Sequence, residues 1–130
     1  FQQLAIIREM VRQLGFKLQV VGCPIVREKD GLALSSRNTL LTPEQRITAL
    51  AISKTLFASL DYAKLHTLME TKQMVEQAIA GTEGLELEYY EVVDGNTLQP
   101  VASWDDTDYI VGCITVYCGK VRLIDNIRYK

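Results

Sequence analysis

Val26-Arg27-Glu28-Lys29-Asp30-Gly31-Leu32-Ala33-Leu34-Ser35-Ser36-Arg37-Asn38 is the stretch on which the reading of this chain turns. It is polar, it contains a glycine, and its last four positions bring two hydroxyls, a guanidinium and a carboxamide in succession. Ahead of it lies the pattern of a helix feeding a covered strand. Behind it come a capped helix, a second helix and then alternating strands, so the loop joins an α/β pattern to an α+β one. Hydroxyls and backbone amides wrap anions while arginine offers a planar fork, which makes the four groups a donor cluster suited to phosphate oxygens. A polar loop ahead of a helix is also ordinary, and Ser-Ser-Arg-Asn alone would recur on many unrelated surfaces.

Upstream, Leu4, Ile7, Val11 and Leu14 fall at helical spacing between Gln2 and Leu14, with Ala5, Ile6 and Met10 widening the stripe and Gly15 placed to end the helix. Phe16 to Cys23 then becomes apolar at Val20-Val21, as in a strand entering a covered parallel sheet, and Pro24 stops it. A polar loop just beyond the carboxyl end of such a strand is where open α/β sheets place their ligands.

Downstream, Thr42-Pro43-Glu44-Gln45 has the N-cap, first-turn proline and N3 glutamine of a helix start. Ile47, Leu50, Ala51, Phe57 and Ala58 continue a 3.6-residue period to about Leu60, interrupted by Lys54. A further helix is predicted over 67–80, with Leu68, Val75, Ala78 and Ile79 inward and Gly81 after its end, pairing with the first as an αα-hairpin. Leu85, Leu87 and Tyr89 alternate with Glu86, Glu88 and Tyr90, which predicts an antiparallel strand with one wet face. Asp94-Gly95-Asn96 marks a turn, 98–102 a short strand, 109–118 a β-branched strand, and 121–127 a last strand after the Gly119-Lys120 turn.

At 130 residues the chain is long enough for a real core without disulfides. Its net charge of -2 gives no reason to expect nucleic acid or an anionic membrane, and no apolar run approaches the roughly 18 residues of a membrane span. Three cysteines without Cys-x-x-Cys spacing indicate neither a disulfide framework nor a zinc site and fit a reducing cytoplasm. The chain begins at Phe1, directly in a helical pattern, so it is expected to be part of something longer and any site in it to be half a site.

Other chemistry is poorly supplied. His66 is the one histidine and falls in an interhelical connection. Asp105, Asp106 and Asp108 lack the ligand spacing of a calcium loop and fit a solvated turn; Glu86, Glu88 and Glu91 fit the wet edge of a strand. No histidine or helix start stands beside a cysteine to activate it. Gln2 and Gln3 open the first helix, where carboxamides and free amides suit a hydroxy acid.

Ile25 to Asn38 as a whole, preceded by Phe1-Gln2-Gln3-Leu4 and followed at the far end by Leu123-Ile124-Asp125-Asn126-Ile127, resembles the pantothenate synthetase (pantoate-β-alanine ligase) family over essentially the full chain. The resemblance implies an AMP-forming ligase of the nucleotidyltransferase superfamily that condenses (R)-pantoate with β-alanine through a pantoyl adenylate, in pantothenate and coenzyme A biosynthesis. Its Ser-Ser-Arg loop corresponds to the Lys-Met-Ser-Lys-Ser loop of class I aminoacyl-tRNA synthetases. Carried over by position, Gln3 matches the pantoate-binding glutamine, Val26 a nucleotide contact, and Leu34, Ser35, Ser36 and Arg37 the loop around the ATP phosphates. Ser35, Ser36 and Arg37 then take the catalytic role: the hydroxyls donate to phosphate oxygens and Arg37 offsets charge on departing pyrophosphate. Leu34 stands where methionine is common in the family.

The same resemblance implies ATP as substrate, Mg²⁺ with it and without an assigned protein ligand, and a homodimer; the charge and hydropathy above give the expectation of no nucleic-acid or membrane partner. The family's His-x-Gly-His motif, Rossmann-like amino-terminal sheet and Gly-x-Lys-Asp segment are absent, and His66 cannot replace two motif histidines. Residues 1–25 are therefore expected to end a Rossmann-like ATP-binding domain and 26–130 to form an α+β lid or dimerisation-type domain, a small antiparallel sheet packed by helices. The piece alone is expected to be inactive. Two other readings stay open: a non-catalytic α+β interaction module, and a different adenylate-forming ligase of the same superfamily.

Overall fold

A run of alternating residues gives way to a run of β-branched ones, and the strands they form are the floor of the molecule. In the computed structural model, which describes residues 1–130, β1 (Leu85–Asp94), β2 (Ile110–Cys118) and β3 (Val121–Arg128) make an antiparallel sheet in the order β1-β2-β3. Central β2 is buried on nearly every residue, which explains its unbroken apolar sequence, whereas β3 alternates strictly. β1 corrects the simple alternation. Its register shifts between Leu87 and Tyr89, so the core-facing series runs Leu85, Leu87, Tyr90, Val92 and not through Tyr89. One extra residue in a strand moves every later side chain to the opposite face.

The helices are α1 (Gln2–Leu14), α2 (Pro43–Thr48), α3 (Leu50–Tyr62) and α4 (Leu68–Ala80). Both predicted starts hold as capping boxes, Thr42 with Gln45 and Thr67 with Glu70. What was expected as one helix from Pro43 is broken at Ala49 into α2 and α3. Its inward face also differs from the apolar count: Ala49, Ile52, Ser53, Leu56 and Ser59 are buried, while Ile47 is 72% exposed and Phe57 and Ala58 face outward. The serines can be buried because each hydroxyl donates within the helix, Ser53 to the Leu50 carbonyl and Ser59 to that of Leu56. In α4, Leu68, Val75 and Ile79 are buried as expected, and Ala78 is exposed.

α3 and α4 pack together and cover one face of the sheet, enclosing a core that includes Leu56, Ile79, Tyr90, Ile114 and Leu123. Each such aliphatic chain contributes about 1.5–3 kcal/mol on burial. A smaller cluster of Val93, Val111 and Cys113 forms on the other face, where Phe1 meets the Tyr109 ring edge to face. The wet face expected for β1 is therefore partly covered.

α1 ends at Gly15 as predicted, with the amides of Gly15 and Phe16 closing on the Arg12 and Val11 carbonyls. Its expected buried flank is reduced to Ala5, with Ile7 and Leu14 exposed. No strand forms over 16–23, since no neighbouring strand in the chain pairs with it, and 98–102 contributes only an isolated bridge, Val93 to Pro100. The α+β architecture, a small antiparallel sheet packed by helices, stands as read from the sequence.

Candidate functional site

The polar loop folds back on itself. Arg27 and Ala33 form an antiparallel bridge, the Glu28 amide donates to the Leu32 carbonyl, and the Leu34 amide donates to that of Val26. The turn between them passes through Gly31 at φ 97, a conformation that side chains other than glycine rarely adopt. Leu32 anchors this hairpin by inserting into the main core.

Charge locks the base. Arg27 donates to both carboxylate oxygens of Asp125, at 2.7 and 3.0 Å, and also to the carbonyls of Gly31 and Asn126, while its guanidinium lies 4.8 Å over the Phe57 ring. Arg46 bridges Glu28 and Asp30 at 2.8 Å each, and this guanidinium holds both carboxyls below their ordinary range, with the Asn38 amide adding to the effect on Glu28. Asn38 donates to Glu28 at 2.7 Å and to the Ala33 carbonyl at 3.1 Å, closing the loop from its far end.

The groups expected to meet phosphate stand free on this frame. Ser35 caps a short 3-10 helix, Ser36–Leu40, by accepting from the Arg37 amide, which leaves its own hydroxyl proton available. Ser36 and Arg37 are exposed. Of the three arginines in and beside the loop, only Arg37 has no carboxylate partner; it makes one long contact, 3.4 Å, to the Arg122 carbonyl. Two hydroxyls and an uncompensated guanidinium in adjacent positions can accommodate a polyanion. Val26 and Leu34 are exposed beside them, both near 62%.

Gln3 is exposed at the start of α1, and it is Gln2 whose amide is engaged, by the Tyr89 hydroxyl at 3.3 Å. The structure does not place Gln3 in one cleft with Ser35 to Arg37. Two small clefts lie nearby, one lined by Ser35 and Asn38, the other by Phe1 and Gln2; Ile124 and Asp125 line both, and Gln3 lines neither. A much larger cavity, about 650 Å³, lies elsewhere, between Ile6, Met10 and Leu14 of α1 and the 96–98 turn. It contains none of these groups and is an apolar trough, not a phosphate site.

Sequence reasoning missed Asp125 and Arg27 as a pair. The signal was there: Val121, Leu123, Asp125 and Ile127 share the buried phase of β3, so an acid sits where a hydrophobe is expected. The remaining candidates are structural. His66 stacks on Tyr62 at 3.6 Å and accepts the Trp104 indole through its carbonyl; Asp106 receives the Ala102 and Ser103 amides in a turn. Glu88 and Glu91 pair with Arg122 and Lys72. Cys113 and Cys118 are buried, and burial pushes the Cys113 thiol up to about 11. No group of three or more His, Cys, Asp or Glu side chains is arranged to hold a metal ion. No helix is long and apolar enough to cross a membrane.

A family profile described as Pantoate-beta-alanine ligase matches residues 1–128. The chain is 67% identical, over all of its length, to a pantothenate synthetase of Bacteroides thetaiotaomicron, of which it covers 46%. Among solved structures, a pantothenate synthetase of Thermus thermophilus superposes with a TM-score of 0.90 at 38% identity, over 98% of this chain and 46% of that one. A pantoate-beta-alanine ligase of Francisella tularensis, complexed with beta-gamma ATP and beta-alanine, superposes at 0.60 with 27% identity, over 98% and 40% respectively. The chain thus spans about half the length of the curated relatives it matches.

Proposed function

Because the chain belongs to the pantoate-beta-alanine ligase family, we propose that it supplies the phosphate-holding face of an ATP-dependent ligase joining pantoate to β-alanine. The observation that carries this reading is Arg37, the one loop arginine without a carboxylate partner, exposed beside Ser36 and next to the free proton of Ser35. ATP bound to the Francisella relative supports the same choice of ligand.

In the proposed reaction the pantoate carboxylate attacks the α-phosphorus of ATP. An acyl–oxygen–phosphorus bond forms and the bond to the β-phosphate oxygen breaks, giving pantoyl adenylate and pyrophosphate. The β-alanine amine then attacks the acyl carbon, loses a proton, and AMP departs. Both steps move negative charge onto phosphate oxygens, and fixed donors aimed at that charge are the effective form of catalysis. Ser35 and Ser36 donate to phosphate oxygens, Arg37 offsets the charge of departing pyrophosphate, Val26 and Leu34 contact the nucleotide, and Gln3 holds pantoate. No step is assigned to Mg²⁺.

Residues 1–25 are read as the end of the ATP-binding domain and 26–130 as the domain closing over it, in a cytoplasmic homodimer. The free cysteines support the compartment, and the family resemblance supports the dimer. In the full-length protein, Arg37→Ala is expected to lower kcat/KM for ATP by about 30- to 100-fold, the loss of a hydrogen bond to a charged group, and Ser36→Ala by about tenfold. Coupled assay of AMP release measures both. Unchanged turnover in both variants would favour a non-catalytic module instead. The 130-residue chain alone is expected to make no pantothenate, because the family's His-x-Gly-His motif is not in it and half of the transition-state contacts are missing.

A further inference from the structure

We propose that Asp125, acting through Arg27, is the positioning residue of this ligase's phosphate loop, an inference that rests on Ser35, Ser36 and Arg37 holding ATP. Asp125 breaks the pattern of its strand, lying between Leu123 and Ile127 in the buried phase of β3. A buried ion pair is not a stabilising choice in itself, since apolar residues of similar volume pack as well or better, and its best attested use is to fix register. The pair here has the geometry for that use. Both oxygens of Asp125 receive both terminal nitrogens of Arg27, and with the side chains only 3% and 15% exposed the contact is shielded from solvent and salt.

Arg27 carries the constraint outward. Its remaining hydrogen bonds go to Gly31 in the turn and Asn126 on β3, and its planar face is held by Phe57 on α3. One guanidinium therefore ties the loop to a strand and a helix of the rigid core. The bridge between Arg27 and Ala33, made by the Glu28 amide donating to the Leu32 carbonyl and the Leu34 amide to that of Val26, passes that placement to the opposite arm, and Ser35 is the next residue. Ser35 and Asn38 border the same small cleft as Asp125. On its other side Asp125 borders the cleft of Phe1 and Gln2, next to Gln3. It is thus the one charged side chain that lines both clefts, and in this proposal it fixes the height of the phosphate donors over the sheet.

The test is made in the full-length protein with Asp125→Asn, Arg27→Lys and the apolar double variant Arg27→Met/Asp125→Leu. Three quantities are measured: pantoate-dependent exchange of pyrophosphate into ATP, KM for ATP against KM for β-alanine, and the thermal midpoint. Both single variants are expected to slow exchange and raise KM for ATP by about tenfold or more, with KM for β-alanine within about twofold. The double variant is expected to regain the thermal midpoint without regaining exchange. Exchange within about twofold of the parent in a folded single variant would overturn the proposal, as would recovery of exchange together with stability in the double variant. Should Asp125→Asn fail to fold, Arg27→Lys decides alone, because it keeps the charge and loses the fork. A parent protein that itself shows no exchange removes the ATP-loop reading, and this inference with it.

Discussion

At the residue scale, the loop uses three arginines for two different purposes. Arg27 and Arg46 have carboxylate partners and build the frame; Arg37 has none and faces outward. The distinction is electrostatic, since a guanidinium already paired with an acid, one for Arg27 and two for Arg46, has little left to offer an incoming anion. It also makes the frame sensitive to acid. Glu28 and Asp30 hold their protons less tightly in the folded chain than in the unfolded one, because Arg46 favours their charged forms. The folded state therefore binds fewer protons, and the stabilisation present above about pH 4 is lost as pH falls through the lowered folded values. We expect the thermal midpoint of Glu28→Gln to depend less steeply on pH between about 5 and 3 than that of the parent. Equal slopes would mean that Arg46 does not couple to Glu28 in solution.

Among the elements, the capped helix starts and the stops at Gly15 and Gly81 were legible, while the break at Ala49 and the inward face of α3 were not. A helix start is written in adjacent residues: Thr67 accepts from the Glu70 amide while the Glu70 side chain returns to the Thr67 amide, and the sequence shows both partners. Thr67→Ala is expected to cost about 1 kcal/mol of unfolding free energy by urea titration, with little change in slope. A loss under about 0.3 kcal/mol would mean that packing against α3 and the sheet, and not the cap, sets this boundary. Which face turns inward depends on partners far along the chain. Ser59 is buried because Tyr129, 70 residues later, presents a hydroxyl 2.6 Å away, and Tyr90 joins the same buried chain of hydroxyls. A count of apolar spacing has no access to that, and it selected Phe57 and Ala58 in place of Ser53 and Ser59. The shift at Glu88 is a similar case, a single extra residue that reverses the phase of β1.

For the whole molecule, the core and the amino-terminal helix are unequal partners. Every member of the main core lies at or beyond Leu32, whereas α1 buries only Ala5, donates from Gln2 to the Tyr89 hydroxyl, and is preceded by Phe1 on the smaller cluster. Ile6, Ile7, Met10 and Leu14 are left as an exposed apolar flank. We expect a chain lacking residues 1–25 to keep the far-ultraviolet dichroism of its sheet and remaining helices and to unfold cooperatively within a few degrees of the parent. A non-cooperative transition would refute the division at residue 25. Exposed apolar patches of this kind mark contact surfaces, so the intact chain is also expected to bind a hydrophobic dye more strongly than the shortened one.

The sequence by itself determined the class of fold, the helix starts at Thr42 and Thr67, the turn at Gly119-Lys120, the loop carrying Ser35, Ser36 and Arg37, and the family. Caps, turns, alternation and the loop motif depend on residues within a few positions of one another, and the family was legible from such short segments repeated along the whole chain. Only the tertiary structure decided that Arg27 and not Arg37 would be bound to an acid, that Asp125 would stand in the core to bind it, and that residues 16–23 would form no strand. The physical reason is common to the three. A buried charge needs an opposite charge and a strand needs a neighbour, and where those partners stand is settled by the packing of distant segments.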